Sequence, residues 1–457
     1  MAEAPRADGA ERASPASADA AARRRWPRIL ALAVAALVFG APLIYWGATY
    51  AFLNTPLGPW LLGGGGRVSL DWRGGRAWIP GQVEVRGFSL EGVTPKGRWR
   101  LEVDRADLRH RLVPFFERTF WAERIDAHGA SFHWTTHDGP VELPPRSAKT
   151  RPGWRLHFPD IHVAGIRRLG FDETRVDSAA NPGAAAFALD LRIRGPVDAP
   201  RLALEITDAV VDRGGEALGR LRRLEVAGRL GPYEPKKHRG AAALRFASGD
   251  VQLESEAWNL ASLSNFFRGL PVGLDGRGTL DAHLVIADGV LEPESRLDVV
   301  NGQLEIDYLD YRAAGRGELH LEGDVTERTS RLLASLSSYT FGRRDAEPHL
   351  EGDVLRLVGS GPVLDLASPE QQFVAEIEIP GARVPDFAAF DDVIPPGVPI
   401  RLHSGRGAMD LGLRVDPRSL EISGQVGLRG TDIAAEIDGH AVTGDLSLRA
   451  HLTRGDI

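Results

Sequence analysis

Along most of this chain, apolar and polar residues take turns. Phe187, Leu189, Leu191 and Ile193 alternate with polar or small neighbours. So do Leu202, Leu204 and Ile206, then Leu280, Ala282, Leu284 and Ile286, then Phe373, Ala375, Ile377 and Ile379. A strand sends successive side chains to opposite faces, so a period of two means strands with one buried and one wetted face. Antiparallel sheets show that pattern, whereas the strands of a parallel α/β sheet are buried on both faces. The 52 Gly and 30 Pro punctuate these runs as turns. Helix signals are short: Asp107 to Ile125, Ala261 to Gly269 and Asp386 to Val393. The expectation is a mainly β chain, largely antiparallel, with a few short helices.

One segment breaks the pattern. From Ile29 to Leu53 no side chain is charged, and at about 1.5 Å per residue such a helix exceeds the roughly 30 Å of bilayer hydrocarbon. Its apolar body includes Ile29, Leu30, Leu32, Val34, Leu37, Val38, Phe39, Leu43, Ile44 and Phe52. Arg23, Arg24, Arg25 and Arg28 precede it, and such a cluster stays on the cytoplasmic side. Trp26 at one end, and Tyr45, Trp46 and Tyr50 toward the other, suit interfacial anchoring. A cleaved signal peptide is the competing reading, but its apolar core is shorter and ends at a small-x-small site, which Gly47 to Ala51 does not supply well. The expected organisation is a disordered cytoplasmic tail (1–25), a transmembrane anchor (26–53), a Gly-rich linker (54–66) and a β region on the far side of the membrane.

Composition closes several other routes. Zero cysteines exclude disulfides, thiol nucleophiles and Cys-based zinc sites. A net charge of −7, with arginines spread among acidic residues, argues against nucleic acid as a partner. No Gly-x-Ser-x-Gly elbow, Walker loop, His-Glu-x-x-His helix or dinucleotide fingerprint is present. The four glycines ending at Gly66 lack the Lys-Ser/Thr and helix of a phosphate loop. His128, His133 and His137 form the densest histidine group, at what reads as a strand end and its turn, where surface histidines are ordinary. Carboxylates such as Glu292, Glu294, Asp307 and Asp310 fall on the wet face. No catalytic residue, metal ligand or cofactor is assigned. Seven tryptophans, from Trp60 to Trp154, precede residue 155, and both core packing and a membrane-facing entrance would favour them there.

The chain also repeats itself. Gly276-Arg277-Gly278-Thr279-Leu280-Asp281 matches Gly405-Arg406-Gly407-Ala408-Met409-Asp410, an offset of 129 residues that then holds without a gap. Leu304 meets Ile433, Gly315 meets Gly444 and Leu319 meets Leu448. Repeats that each add strands to one sheet make elongated proteins. The β region thus reads as an N-terminal part (67–260) followed by repeated modules (261–383 and 384–457).

With its basic tail, single anchor and long β region, the chain resembles the AsmA-like, TamB-related family of bridge-like lipid-transfer proteins of Gram-negative envelopes. The segment from Trp72 to Trp134 carries part of the likeness, with Ile79-Pro80-Gly81-Gln82-Val83-Glu84-Val85-Arg86-Gly87-Phe88 leading into a second strand, a short helix through Phe115 and Phe116, and a third strand from Ile125 to Phe132. The repeated units Gly276 to Leu321 and Gly405 to Leu452 carry the rest. The resemblance implies a sheet curled into an open, apolar-floored trough, anchored in the inner membrane, lying in the periplasm and taking part in phospholipid transport toward, or homeostasis of, the outer membrane. Its partners would be phospholipid or another lipid, the inner membrane, and envelope proteins. The lining would include Leu280, Leu284, Ile286, Leu304, Ile306, Leu319, Leu321, Leu411, Leu413, Ile433, Ile437, Leu446 and Leu448. Two other classes stay open: a scaffold for outer-membrane or other envelope proteins, which a filled core would favour, and an anchored hydrolase, which a pocket of converging carboxylates or histidines would favour.

Overall fold

The computed structural model describes Val34 and residues 36–456, except 63–66, 95–96, 112, 138–154, 193–194, 236, 239, 263–271, 309, 325–328, 345, 364, 367–373, 394–398, 417–418 and 420. Strands account for 75% of it and helix for 11%. A single π turn, Ala36–Gly40, leads into helix α1, Ala41–Asn54, and a short helix α2, Leu57–Leu62, follows inside the segment read as linker. None of the described helices is long and apolar enough to cross a membrane by itself. Arg23, Arg24, Arg25, Arg28, Ile29, Leu30 and Leu32 lie outside the described residues.

Beyond the helices, 22 strands form one continuous curved sheet. In chain order they are β1 (Val68–Asp71), β2 (Gly74–Arg76), β3 (Gln82–Thr94), β4 (Gly97–Arg111), β5 (Thr119–Thr136), β6 (Arg155–Ile166), β7 (Arg168–Phe171) and β8 (Thr174–Asp177). Then come β9 (Gly183–Arg192), β10 (Val197–Arg213), β11 (Glu216–Tyr233), β12 (Ala247–Asn259), β13 (Val272–Ala287), β14 (Val290–Leu291), β15 (Arg296–Tyr308) and β16 (Tyr311–Asp324). The last are β17 (Thr329–Arg343), β18 (Leu350–Pro362), β19 (Val374–Val384), β20 (Ile400–Asp416), β21 (Glu421–Ile437) and β22 (His440–Asp456). From β9 onward each long strand pairs antiparallel with the next. Among the described pairings, only β5 with β6 and β5 with β7 are parallel. Because β1 and β2, β6 and β7, β8 and β9, and β14 and β15 lie end to end in shared rows, the strands fill 18 rows. At about 4.8 Å per step the sheet runs roughly 80 Å along its curve.

One helix expectation is overturned. Asp107 to Ile125 is two strand ends joined by a 3-10 turn, Val113–Glu117, rather than a helix. Asp107 pairs with Asp126, Leu108 with Ile125 and Arg109 with Arg124, so ladder hydrogen bonds outbid a weak local helical preference. Of the other two helical signals, Asp386 to Val393 holds the 3-10 turn Phe387–Val393, whereas residues 260–262 form a 3-10 turn ahead of the undescribed 263–271.

A line of irregular residues crosses the sheet. Gly87, Gly129, Gly165, Asp208, Ala257, Gly276, Ser338, Gly381, Gly405 and Asp432 all have positive φ within strands. At each the alternation of faces slips by one residue; around Gly165, Ala257, Ser338, Gly381, Gly405 and Asp432 the pairing register shifts as well, and such bulges bend the strands that carry them. Leu336 and Tyr339 are three apart yet both 1% exposed on one face, with Ser338 between them; Ile379 and Ala382 do the same around Gly381. This seam separates two flanks of the sheet.

Candidate functional site

Once the slip at the seam is counted, the two faces of the sheet differ completely. One face carries three buried clusters that touch in series. The first, around Val103, Ala127, Ala130 and Ile166, shares Leu169 and Leu204 with the second, around Ile206, Ala209, Val211 and Leu221. The second shares Leu253 and Trp258 with the third, which extends from Leu260 through Leu304 and Tyr339 to Ile433 and Ala435. One apolar face, covered along its middle, therefore runs unbroken from β3 to β21.

The opposite face is an array of charged and hydrogen-bonded pairs that reach between strands. His283 meets Asp250 at 2.5 Å, His320 meets Asp298 at 2.7 Å, Arg312 meets Asp307 at 2.8 Å, and Arg201 meets Asp160 at 2.6 Å. Glu84 is 8% exposed in its side chain and held by Arg76, Arg86 and Arg105. Burial pushes its carboxyl up, but the hydrogen bonds from Arg76 and Arg86 and the charge of Arg105 outweigh that and leave it below the usual carboxylate range. Hydrogen-bonded charges of this kind keep the outer face wet and prevent face-to-face stacking of two sheets.

Burial on the apolar face follows distance from the seam. Leu280, Leu304, Leu319 and Ile433, beside it, are 0 to 6% exposed. Leu284, Ile286, Ile306, Leu321, Leu411 and Leu413, farther out or nearer the C-terminal end, are half-buried. Ile437, Leu446 and Leu448 are exposed. All thirteen residues expected to line a groove share this face, but the first four are covered by their neighbours and present no open surface. The accessible apolar surface lies on the flanks and on the last strands. Tyr339 belongs to the covered floor: burial first, then the charge of Asp353, pushes its phenol up to about 12, and its hydroxyl has no partner among the described residues.

The two ends of the sheet are unlike. At the first, α1 and α2 dock on β1 to β3. Trp72 Nε1 donates to the Leu53 carbonyl (2.8 Å), its ring packs on Phe52 (5.8 Å between centroids), and Asn54 Nδ2 donates to the Gly75 carbonyl (2.9 Å). Of the residues expected to form an anchor, Val34, Val38, Phe39, Leu43 and Ile44 are 51 to 74% exposed. Leu37 is in the π turn. At the other end β22 pairs only with β21 among the described strands, and residues 440–451 are exposed on both faces.

The histidine group disperses. His128 and His133 lie on the charged face of β5, on either side of the Gly129 bulge, with His133 against Gly170. Among the described residues no three His, Asp or Glu side chains come together as a metal site would require. Of the early tryptophans, Trp72 is tucked under the helices and Trp99 and Trp134 lie over Gly92 and Gly97, whereas Trp60 and Trp78 are 73% and 68% exposed.

Comparison with family models, curated proteins and solved structures returns no match for this chain.

Proposed function

We propose that this protein is an inner-membrane-anchored β-trough that carries lipid along its apolar face, in the manner its resemblance to the AsmA-like proteins implies. The observation that carries this reading is the apolar face that runs unbroken from β3 to β21, open on its flanks and backed by an outer face of paired polar and charged groups. A phospholipid leaving a bilayer exposes about thirty methylenes at roughly 0.8 kcal/mol each, near 25 kcal/mol in all. An apolar flank beside water offsets most of that while the head group stays hydrated. Half-buried Ile286 and Leu321, and exposed Leu448, are the side chains that acyl chains would touch.

A scaffold that binds other envelope proteins is the second reading. One observation favours it: the covered floor at Leu280, Leu304 and Leu319, as in a filled core. A photocrosslinking residue placed in turn at 286, 321 and 448 in cells separates the two. Lipid adducts from these positions, and none from buried position 304, support carriage. Protein adducts alone from all three would leave the scaffold.

A further inference from the structure

At the helix-bearing end of the sheet, two turns expose large apolar side chains. The first, between β2 and β3, carries Trp78 and Ile79, 68% and 55% exposed. The second, the 3-10 turn Val113–Glu117 between β4 and β5, carries Val113 and Phe116, 75% and 90% exposed. The two are neighbours, because Gln82 pairs with Arg109 and the His110 N–H donates to the Gly81 carbonyl at 2.8 Å. Tight turns at strand ends are ordinarily polar. Four large apolar groups gathered at one sheet end need an apolar partner.

Helix α1 identifies that partner. Asn54 and Leu53 lie against Gly75 and Trp72, and one helical stretch earlier Trp46 Nε1 donates to the Trp78 carbonyl (3.1 Å) and Tyr45 donates to the Ile79 carbonyl (3.3 Å). The helix therefore runs beside β2 and passes the Trp78 turn as it leaves the sheet. Ile44, Leu43 and Phe39, the residues just past that point, are 65 to 74% exposed and belong to the uncharged stretch. The exposed turns and the departing helix thus form one continuous apolar surface at one level.

We infer that this surface is a membrane footing: Trp78, Ile79, Val113 and Phe116 enter the interfacial layer of the bilayer that holds α1. Tryptophan and phenylalanine beside a helix entry are suited to that layer, Trp by its amphipathic ring. The footing sets the first strands of the trough against the lipid surface, where an acyl chain could pass onto the flank of β3 to β5 without crossing water. The inference rests on the reading that the uncharged stretch enters a bilayer.

The chain has no cysteine, so a single introduced one takes an environment-sensitive fluorophore at a known place. Phe39→Cys, Ile79→Cys, Phe116→Cys and, on the outer face, Ser360→Cys are each labelled in the full-length protein and reconstituted into phosphatidylcholine vesicles with and without spin-labelled phosphatidylcholine. All four sites are open to solvent in the folded chain, so labelling does not disturb packing. The expected result is quenching by the lipid-borne label at 39, 79 and 116 and none at 360. Quenching at 39 with water-exposed emission at 79 and 116 overturns the footing and leaves the anchor standing. Blue-shifted but unquenched emission at 79 and 116 also overturns it, in favour of contact with a second protein. An unquenched position 39 overturns the anchor and the footing with it.

Discussion

The repeated unit exists twice in the sheet, once enclosed and once at the rim. In the first copy β13, β15 and β16 are followed by β17; in the second, β20, β21 and β22, the last pairs only with β21 among the described strands. The hairpin turns fall at matching positions, with Tyr308 paired to Tyr311 and Ile437 to His440. The bulge glycines match too: Gly276 and Gly405 have φ of +109° and +140°, and the backbone each approaches, at Leu304 and Ile433, is again the matching position. Burial does not follow. Leu319 and Ala313 are 5% and 7% exposed, but their counterparts Leu448 and Val442 are 48% and 47% exposed. The same local sequence makes the same hairpin, and whether its apolar face is covered depends on the strand beyond.

That comparison can be broken most sharply with a charge. Leu319→Asp buries an unpaired carboxylate beside Leu304 and Leu336, at a penalty of several kcal/mol, a large part of the roughly 5–15 kcal/mol that holds a domain together. Leu448→Asp meets water and should change stability by no more than about 0.5 kcal/mol. Urea unfolding followed by circular dichroism measures both, and equal losses would show that β22 is covered in solution. A smaller effect separates Gly315 from Gly444. A Cβ on Gly315 would lie 3.0 Å from both Cα and Cβ of Tyr339, whereas one on Gly444 has nothing within 4 Å. Gly315→Ala should cost about 1–3 kcal/mol through overpacking, and Gly444→Ala should be neutral or stabilise by up to about 1 kcal/mol. The same unfolding assay reads the pair, and a harmless Gly315→Ala would mean that β16 and β17 can move apart.

Much of this was legible in the sequence. Period-two runs located β9, β10, β13 and β19, and the matched glycines at 276 and 405 located the repeat, because side-chain alternation and glycine turns are local physics. The face shared by Leu304 and Ile306 was legible for the same reason. The seam was not. Asp208, Ala257, Ser338 and Asp432 adopt positive φ without being glycine, a choice imposed by the partner strand that no local pattern announces. Because the seam was hidden, so was the contrast between a covered floor and open flanks. The apolar turns at Trp78 and Phe116 were hidden as well: Phe116 sits in a stretch with helical character, and only the pairing of β3 with β4 brings it beside Ile79. Sequence gives the faces of strands, and strand partners decide what each face meets.

The mildest difference between the two copies lies on the outer face and depends on pH. In the first copy His320 sits opposite Asp298 and near Glu318; at the matching positions of the second copy Arg449 sits opposite Gly427 and near Ser447. The hydrogen bond to Asp298, opposed in part by burial and reinforced by Glu318, raises the His320 pKa above the ordinary histidine value. The folded state therefore holds the proton more tightly than the unfolded chain does. The resulting stability is fully present below about pH 6.5, where the unfolded histidine is also protonated, and is lost as pH rises through the higher folded value. Arginine stays charged throughout, so this position of the second copy has no such dependence. In His320→Gln the urea midpoint should fall below that of the parent protein at pH 5.5, and the gap should close by pH 9, while Arg449→Gln should give a gap that does not change between the two. The pair of His283 with Asp250 on the same face is present in parent and variant alike and cancels in the difference, since the two sites share no partner. A His320→Gln gap that persisted unchanged at pH 9 would mean that the imidazole acts on the outer face by packing, with its charge contributing nothing.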